Sequence, residues 1–116
     1  MALKTAGWDG LLISGKSRQP TYLDITANGV EFKSAEDLWG KDIPDVQAEL
    51  DGNKSKSLII GPAGENLVRF ANIGSGHRFL GRGGFGAVMG AKNLKAIVAT
   101  GGTFRIKPKN PKKFKN

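Results

Sequence analysis

Residues 21–33 of the chain read TYLDITANGVEFK and carry its clearest secondary-structure signal. Apolar and polar side chains alternate along residues 21–25 and again along 30–33, which is the pattern of a strand with one buried face. Between them, Ala27, Asn28 and Gly29 form a segment that tolerates the positive φ angles of a tight turn. Together these residues predict a two-stranded antiparallel hairpin.

Further strands and short helices are predicted on both sides of this hairpin. Apolar runs predict strands at residues 10–13, 57–60, 67–71 and 94–99, and residues 74–86 are predicted to form a loop. Ser34 as a cap predicts a helical turn that ends at Gly40, Pro44 begins a helix that ends at Leu50, and residues 87–91 form a further helical turn. The predicted fold class is α+β, with a mostly antiparallel β-sheet and two or three short helices.

Length and composition exclude several classes of protein. The 116 residues are enough for one small domain. The lack of cysteine excludes disulfides, thiolate metal sites and cysteine-held iron–sulfur clusters, and a single histidine disfavours a self-contained zinc site. No apolar run approaches the roughly 20 residues of a membrane span, and the residues after Met1 lack the apolar stretch of a signal peptide. We therefore expect a cytoplasmic protein that does not enter the membrane.

The net charge of +8 is concentrated in the second half of the chain. Residues 66–116 carry eleven Lys and Arg residues and no Asp or Glu. Six of these cations lie in residues 105–116, beside Pro108 and Pro111, which is typical of a solvated linker. The other five lie within the predicted folded part, where they favour an anionic ligand.

Residues 81–90, GRGGFGAVMG, form the densest candidate binding motif. Glycine lets backbone N–H groups approach an anion, and Arg82 with nearby Arg78 supplies planar donors for phosphate. The motif lacks the Gly-Lys-Ser/Thr ending of a P-loop, and no strand–helix–strand unit with a downstream acid makes it a dinucleotide site. A tight structural crossing that needs small residues explains the glycines equally well. Nucleic-acid binding is disfavoured because no aromatic residues are interleaved with the cations.

The remaining polar candidates carry no catalytic prediction. His77 has no carboxylate partner near it in the sequence, so it is interpreted as a solvated or hydrogen-bonding residue. Glu65 and Asn66 end the segment 61–66, which is either a turn between strands or a loop that lines a ligand, with the turn as the default. No paired carboxylates and no Ser/His/Asp arrangement can be placed, so no catalytic residue is predicted.

Four ordered blocks of this sequence resemble the later part of the N-terminal domain of the aldehyde:ferredoxin oxidoreductase family. The blocks are residues 3–10 (LKTAGWDG), 38–42 (LWGKD), 60–71 (IGPAGENLVRFA) and 81–97 (GRGGFGAVMGAKNLKAI). The resemblance covers nearly the whole chain and weakens after Gly101. It implies a truncated part of that family's N-terminal β-saddle domain.

The resemblance also implies a chemistry. Members of the family oxidise aldehydes to carboxylic acids at tungsten, sometimes molybdenum, held by two pyranopterins whose phosphates a magnesium ion bridges. A [4Fe–4S] cluster then passes electrons to ferredoxin. By the same resemblance, Arg78 contacts a cofactor phosphate and the Phe79 carbonyl is a magnesium ligand. Gly81, Gly83 and Gly84 allow the backbone to approach the cofactor, and Arg82 is a further cofactor-binding residue among them.

The resemblance finally implies what this chain needs from elsewhere. Residues 1–104 correspond to a partial cofactor-seating domain, and residues 105–116 to a basic linker toward a second domain. The cluster cysteines, the acid–base groups and the substrate pocket belong to the remainder of the enzyme, so the chain alone is expected to be inactive. The alternative from another class is a stand-alone, non-catalytic module that binds an anion or a partner.

Overall fold

The sheet is built from strands that come from all parts of the described chain. A computed structural model describes residues 10–50, 57–75, 78–80 and 83–99, with only the backbone of Arg78 and Leu80. In chain order these residues form β1 (Thr21–Thr26), β2 (Gly29–Ser34), α1 (Ile43–Leu50), β3 (Ser57–Ile59), α2 (Pro62–Glu65), β4 (Ile73–Ser75), β5 (Arg78–Leu80), α3 (Phe85–Ala91) and β6 (Leu94–Ala99).

The six strands form one mixed sheet in the order β2-β1-β6-β3-β4-β5. The β1–β6 pair is parallel, and the other four pairs are antiparallel. The predicted fold class, α+β with a mostly antiparallel sheet and short helices, is therefore confirmed. The last of the described strands, β6, lies at the centre of the sheet, which explains why its residues are almost all buried.

The predicted hairpin is present as β1 and β2. Its register runs from Thr21 opposite Ser34 to Thr26 opposite Gly29, without interruption. Only Gly29 of the three predicted turn residues has a positive φ, at 141°. The Asn28 N–H donates to Thr26 Oγ1 at 3.2 Å, so a side-chain oxygen supports the turn.

The predicted helices are also present. The Leu38 and Trp39 N–H groups donate to the Ala35 carbonyl, and Gly40, with φ 91°, ends that turn. Helix α1 extends over Ile43–Leu50, as the position of Pro44 predicts. None of the helices in the described ranges is long and apolar enough to cross a bilayer.

The core lies on both faces of the sheet, because neighbouring residues of β1 and β3 contribute to different clusters. The cluster on the α3 side contains Leu23, Ile60, Ile73, Met89 and Leu94. The cluster on the α1 side contains Ala35, Leu38, Val46, Ile59 and Ala96. Since each face is covered by a helix and its connections, the central strands read as continuous apolar runs.

Three local predictions are wrong. Residues 10–13 form no strand, and Leu12 is 98% exposed. Residues 67–71 form turns instead of a strand, because Leu67 adopts φ 61° and the Ala71 N–H donates to the Val68 carbonyl. The predicted loop at 74–86 contains part of β4, all of β5 and the start of α3. These strands are three residues long, too short to show the alternation on which the prediction relied.

Candidate functional site

The predicted cofactor-binding residues lie where β5 ends and α3 begins. Arg78 and Phe79 belong to β5, and Gly83 and Gly84 form the turn that leads into α3. The fold therefore joins an outer strand to a helix start at this position. The candidates that lie outside the described residues are Gly81, Arg82, His77 and the side chain of Arg78.

Phe79 directs its backbone N–H and C=O groups toward the outer edge of the sheet. Strand β5 is the last in the sheet order and pairs with β4. In an antiparallel pair, alternate residues either exchange both backbone hydrogen bonds with their partner or direct both groups away from it. If Ser75 and Arg78 were a non-bonded pair, the next hydrogen bonds along the ladder would have to join positions 76 and 77. These positions are adjacent in sequence and cannot form ladder bonds with each other, so Ser75 and Arg78 are a hydrogen-bonded pair. The next pair, Gly74 and Phe79, is therefore non-bonded, and the Phe79 carbonyl points away from β4.

The Phe79 ring lies on a different surface from its carbonyl, in a cleft of about 530 Å³. The ring is 58% exposed and shares the cleft with Phe70, while Asp42 and Asp45 supply the charged groups. Among the residues that line it there is no Lys or Arg. An acidic cleft of this kind repels phosphate, so the predicted phosphate contacts do not belong to it.

The two described glycines of the candidate site have different constraints. Gly84 is buried with φ 66°, and a Cβ atom there would overlap the Arg69 carbonyl oxygen. Gly83 has φ 85° but is exposed, and its Cβ would meet the movable ring of Phe85. Packing alone therefore requires glycine at position 84. At position 83 the exposed backbone is accessible to a ligand.

Two glycines of α3, Gly86 and Gly90, and one glycine of α2, Gly64, hold the two helices in direct backbone contact. A Cβ on Gly90 would overlap the Gly64 carbonyl oxygen, and a Cβ on Gly64 would lie 2.8 Å from the Gly86 carbonyl oxygen. Helices α2 and α3 thus pack closely through these three glycines. The structural explanation of the glycine-rich motif holds for this part of it.

A buried ion pair joins α2 to the centre of the sheet. Lys95 Nζ lies 2.8 Å from Glu65 Oε1, with the side chains 0% and 4% exposed. Lys95 Nζ also donates to the Lys41 carbonyl at 2.8 Å, and the Glu65 carboxylate accepts the Gly40 N–H at 2.5 and 2.8 Å. Each charge is thus satisfied by its partner and by backbone groups.

Of the two interpretations of residues 61–66, the structure shows a helical turn whose acid faces the core. The Asn66 side chain closes this turn, because its Nδ2 donates to the Pro62 carbonyl.

A β-bulge explains how a lysine comes to lie inside the sheet. Thr21 pairs with Leu94, but the next residue, Tyr22, pairs with Ala96, which leaves Lys95 as the extra residue. A bulge redirects the side chain of the extra residue. Glu65 is recognisable in the sequence as a polar candidate, but its partner Lys95 is not, because the two residues are thirty positions apart.

The described residues contain no group of three or more His, Cys, Asp or Glu side chains that could hold a metal ion. Backbone oxygens are therefore the donors that the described part of the site offers to a cation. Hard cations such as Mg²⁺ accept carbonyl oxygens as ligands. The outward Phe79 carbonyl is a donor of this type.

Comparison with models of known protein families shows which family this chain belongs to. The family model of the aldehyde ferredoxin oxidoreductase N-terminal domain matches residues 1–101. The chain belongs to the aldehyde ferredoxin oxidoreductase family. The resemblance found in the four sequence blocks is thereby confirmed.

Curated members of the aldehyde ferredoxin oxidoreductase family are similar to the chain over most of its length. Tungsten-containing aldehyde ferredoxin oxidoreductases of Pyrococcus furiosus and Thermococcus kodakarensis are 48% and 49% identical over 104 residues, which is 85% of this chain. The WOR-like subunit of an aliphatic sulfonate oxidoreductase of Pyrococcus furiosus is 40% identical over 118 residues, covering 87% of the chain. The chain spans 17% of the length of the first two relatives and 19% of the third.

A solved structure shares the fold of this aldehyde ferredoxin oxidoreductase domain. The chain superposes on the active site complex BamBC of benzoyl coenzyme A reductase with a TM-score of 0.80 and 40% sequence identity. The match covers 88% of this chain and 16% of the BamBC chain. The sheet and its helices are therefore shared with a part of a larger oxidoreductase.

Proposed function

We propose that this chain forms part of the cofactor-binding domain of a tungsten- or molybdenum-dependent enzyme that oxidises aldehydes to carboxylic acids and reduces ferredoxin. In this role it contacts the phosphates of a bis-pyranopterin and the magnesium ion that bridges them. Residues 1–104 act as the cofactor-seating domain, and residues 105–116 as a linker to further domains. The observation that carries the proposal is the family match over residues 1–101, together with near-half identity to tungsten-containing relatives.

The geometry of the described residues fits this cofactor. The Phe79 carbonyl points away from β4 at the edge of the sheet, as a backbone ligand to magnesium requires. The exposed Gly83 backbone has no side chain that would keep a phosphate away. Arg78 directly precedes Phe79 in β5, so an arginine side chain, which can bind phosphate, is attached to the residue next to the proposed magnesium ligand. Gly81 and Arg82 complete the proposed site in the sequence.

The residues of this chain bind and orient the cofactor and do not take part in proton transfer. When bound, the metal–pterin group supplies the two-electron oxidation of the aldehyde. Arg78 neutralises phosphate charge, and the Phe79 carbonyl holds the bridging cation. The chain has no cysteine, so the [4Fe–4S] cluster is held by the remainder of the enzyme, which also contacts ferredoxin.

Exposed apolar side chains support contact with that remainder. Among the described residues, Phe70 is 80% exposed and Phe79, Phe85 and Val88 are each about half exposed. Large apolar side chains exposed on a surface are typical of an interface. Relatives about six times longer than the match supply the polypeptide that would cover them.

The first test is the metal content of the chain purified anaerobically from its native source. We expect tungsten or molybdenum to co-purify with a pterin, detected by elemental mass spectrometry and by fluorescence of the oxidised pterin. The isolated 116-residue chain is expected to show no turnover with aldehydes. A folded, monodisperse sample without either metal or pterin would contradict the proposal and favour the stand-alone binding module.

Replacing Arg78 with alanine tests the phosphate contact. Removing one charge-assisted donor to phosphate is expected to lower the amount of bound pterin and metal about tenfold. The matched control is Arg18→Ala, which removes an exposed arginine before β1 and is expected to leave the cofactor content unchanged. Equal cofactor content in both variants would show that Arg78 does not contact the cofactor.

A further inference from the structure

The buried Lys95–Glu65 ion pair joins three separate parts of the domain. Glu65 belongs to α2 and Lys95 to β6. Both side chains also bond to the turn that precedes α1. The Glu65 carboxylate accepts the Gly40 N–H, and the Lys95 ammonium group donates to the Lys41 carbonyl. Since the two side chains are 4% and 0% exposed, described residues alone enclose this point of attachment.

One connection leads from this ion pair to the glycine turn of the proposed cofactor site. Gly64, next to Glu65, is in backbone contact with Gly86 of α3. Helix α3 begins directly after Gly84 and leads, through two residues, into β6, which carries Lys95. These elements form a closed ring, in which α2 contacts α3, α3 continues into β6, and the ion pair links β6 back to α2. The ring therefore fixes where α3 begins.

A second connection leads from the turn before α1 to Phe79. Ile43 follows Lys41 by two residues and packs closely on β4, since a Cβ atom on Gly74 would lie 2.7 Å from Ile43 Cγ2. Gly74 is the register partner of Phe79, whose carbonyl is the proposed magnesium ligand. The start of α1 thus supports β4 and β5 at the level of that carbonyl.

We propose that Glu65 and Lys95 are positioning residues for the cofactor, which fix the Phe79 carbonyl relative to the backbone of Gly83 and Gly84. This inference rests on the proposed function, because it concerns the site assigned there. Both side chains act through other residues, since each is bonded to its partner and to backbone groups. The ion pair is the common attachment of the two connections that reach the site.

The proposed ligands need this precision. Magnesium demands a near-octahedral arrangement of oxygen ligands at about 2.1 Å, so a backbone donor that moves by about 1 Å no longer serves it. A buried ion pair adds little stability over an apolar pair of similar volume. Its bonds are directional, however, and here they leave one arrangement of α2, β6 and the turn in which both charges are satisfied.

Amide hydrogen exchange of the 116-residue chain, followed by NMR, tests the positioning without the cofactor. The variant Lys95→Met/Glu65→Gln removes both charges, so neither is left buried and unpaired. Gly86 and Ala87 donate to backbone carbonyls at the start of α3, and Gly74 lies between β3 and β5. We expect exchange at these three amides to accelerate about tenfold more than exchange at the amides of β1.

The control lowers stability at a different place. Ile25 is fully buried in β1 and pairs with Ala99, four residues along β6 from Lys95. Ile25→Ala is expected to accelerate the amides of β1 and of α3 by the same factor, because it promotes unfolding of the whole domain.

Glu65→Asp is a milder second variant. It keeps both charges but shortens the acid by one methylene group, so the carboxylate no longer reaches both Lys95 and Gly40. We expect it to accelerate the same three amides about threefold more than those of β1. If the start of α3 and β1 accelerate equally in whichever of the two variants folds, the ion pair has a structural role only and the inference is overturned.

Cofactor content separates this inference from the proposed function. In protein purified anaerobically from its native source, Lys95→Met/Glu65→Gln is expected to lower bound metal and pterin about tenfold, and Ile25→Ala to leave them unchanged. Full cofactor content in the double variant, with a loaded wild type, would overturn the positioning role alone. A wild-type chain without metal or pterin would contradict the proposed function, and the role of Glu65 and Lys95 in cofactor binding with it.

Discussion

Replacing Lys95 with methionine is expected to lower the free energy of unfolding by about 3–5 kcal/mol, because it leaves the Glu65 carboxylate buried without its counter-charge. Glu65 is 4% exposed and retains only the Gly40 N–H as a described donor. The Lys41 carbonyl loses its lysine donor in the same variant. Urea unfolding followed by circular dichroism measures the effect.

Two further variants separate the buried charge from the loss of packing. Lys41→Met makes the same substitution in an exposed ion pair with Glu49, and such pairs contribute less than about 1 kcal/mol. In Lys95→Met/Glu65→Gln the unpaired charge is gone while the amide oxygen still accepts the Gly40 N–H. We expect this second substitution to recover about 1–3 kcal/mol. A Lys95→Met variant no less stable than Lys41→Met would show that the ion pair does not support the fold.

Local patterns in the sequence predicted the elements that local interactions determine. The hairpin of β1 and β2 has alternating side chains and a turn with Gly29, and both act over a few residues. The helical turn after Ser34 and the helix that begins near Pro44 depend on capping and on the fixed φ of proline. Strand β6 was predicted because it is an uninterrupted apolar run apart from Lys95.

The elements that were missed depend on contacts distant in sequence. Strand β4 includes Gly74, which has no side chain to contribute to a pattern, and is defined by its pairing with β3 and β5. The burial of Lys95 could not be predicted from the sequence, because its ion-pair partner Glu65 belongs to another element. The bulge in β6 also changes which residues of the strand point to each face of the sheet. Such features follow from tertiary structure, which a pattern in one segment does not contain.

The residues of the candidate site stay a prediction. The glycine-rich motif lies at the junction of β5 and α3, within the family's N-terminal domain. A glycine in a sequence does not show whether its missing side chain makes room for a ligand or for another part of the backbone. The structure distinguishes the two for Gly83, which is exposed, and for Gly84, which contacts Arg69.

Replacing Gly90 with alanine is expected to destabilise the protein by roughly 2–4 kcal/mol, although alanine is the better helix former by about 1 kcal/mol. The added methyl group would overlap the Gly64 carbonyl oxygen. This oxygen belongs to the backbone of α2 and cannot rotate away as a side chain can. Helices α2 and α3 would therefore have to separate, and the contact of Gly64 with the Gly86 carbonyl would be lost as well.

Thermal unfolding of Gly90→Ala and Val88→Ala measures this effect against a control in the same helix. Val88 is 49% exposed, and its truncation is expected to change the free energy of unfolding by no more than about 0.5 kcal/mol. The sign of the Gly90→Ala effect decides between two explanations of this glycine. A loss of stability shows that close helix contact requires it, whereas a gain of about 1 kcal/mol would show that helix propensity outweighs the contact and that α3 can move away from α2. Because α3 begins directly after Gly83 and Gly84, such a movement would also displace the proposed cofactor site.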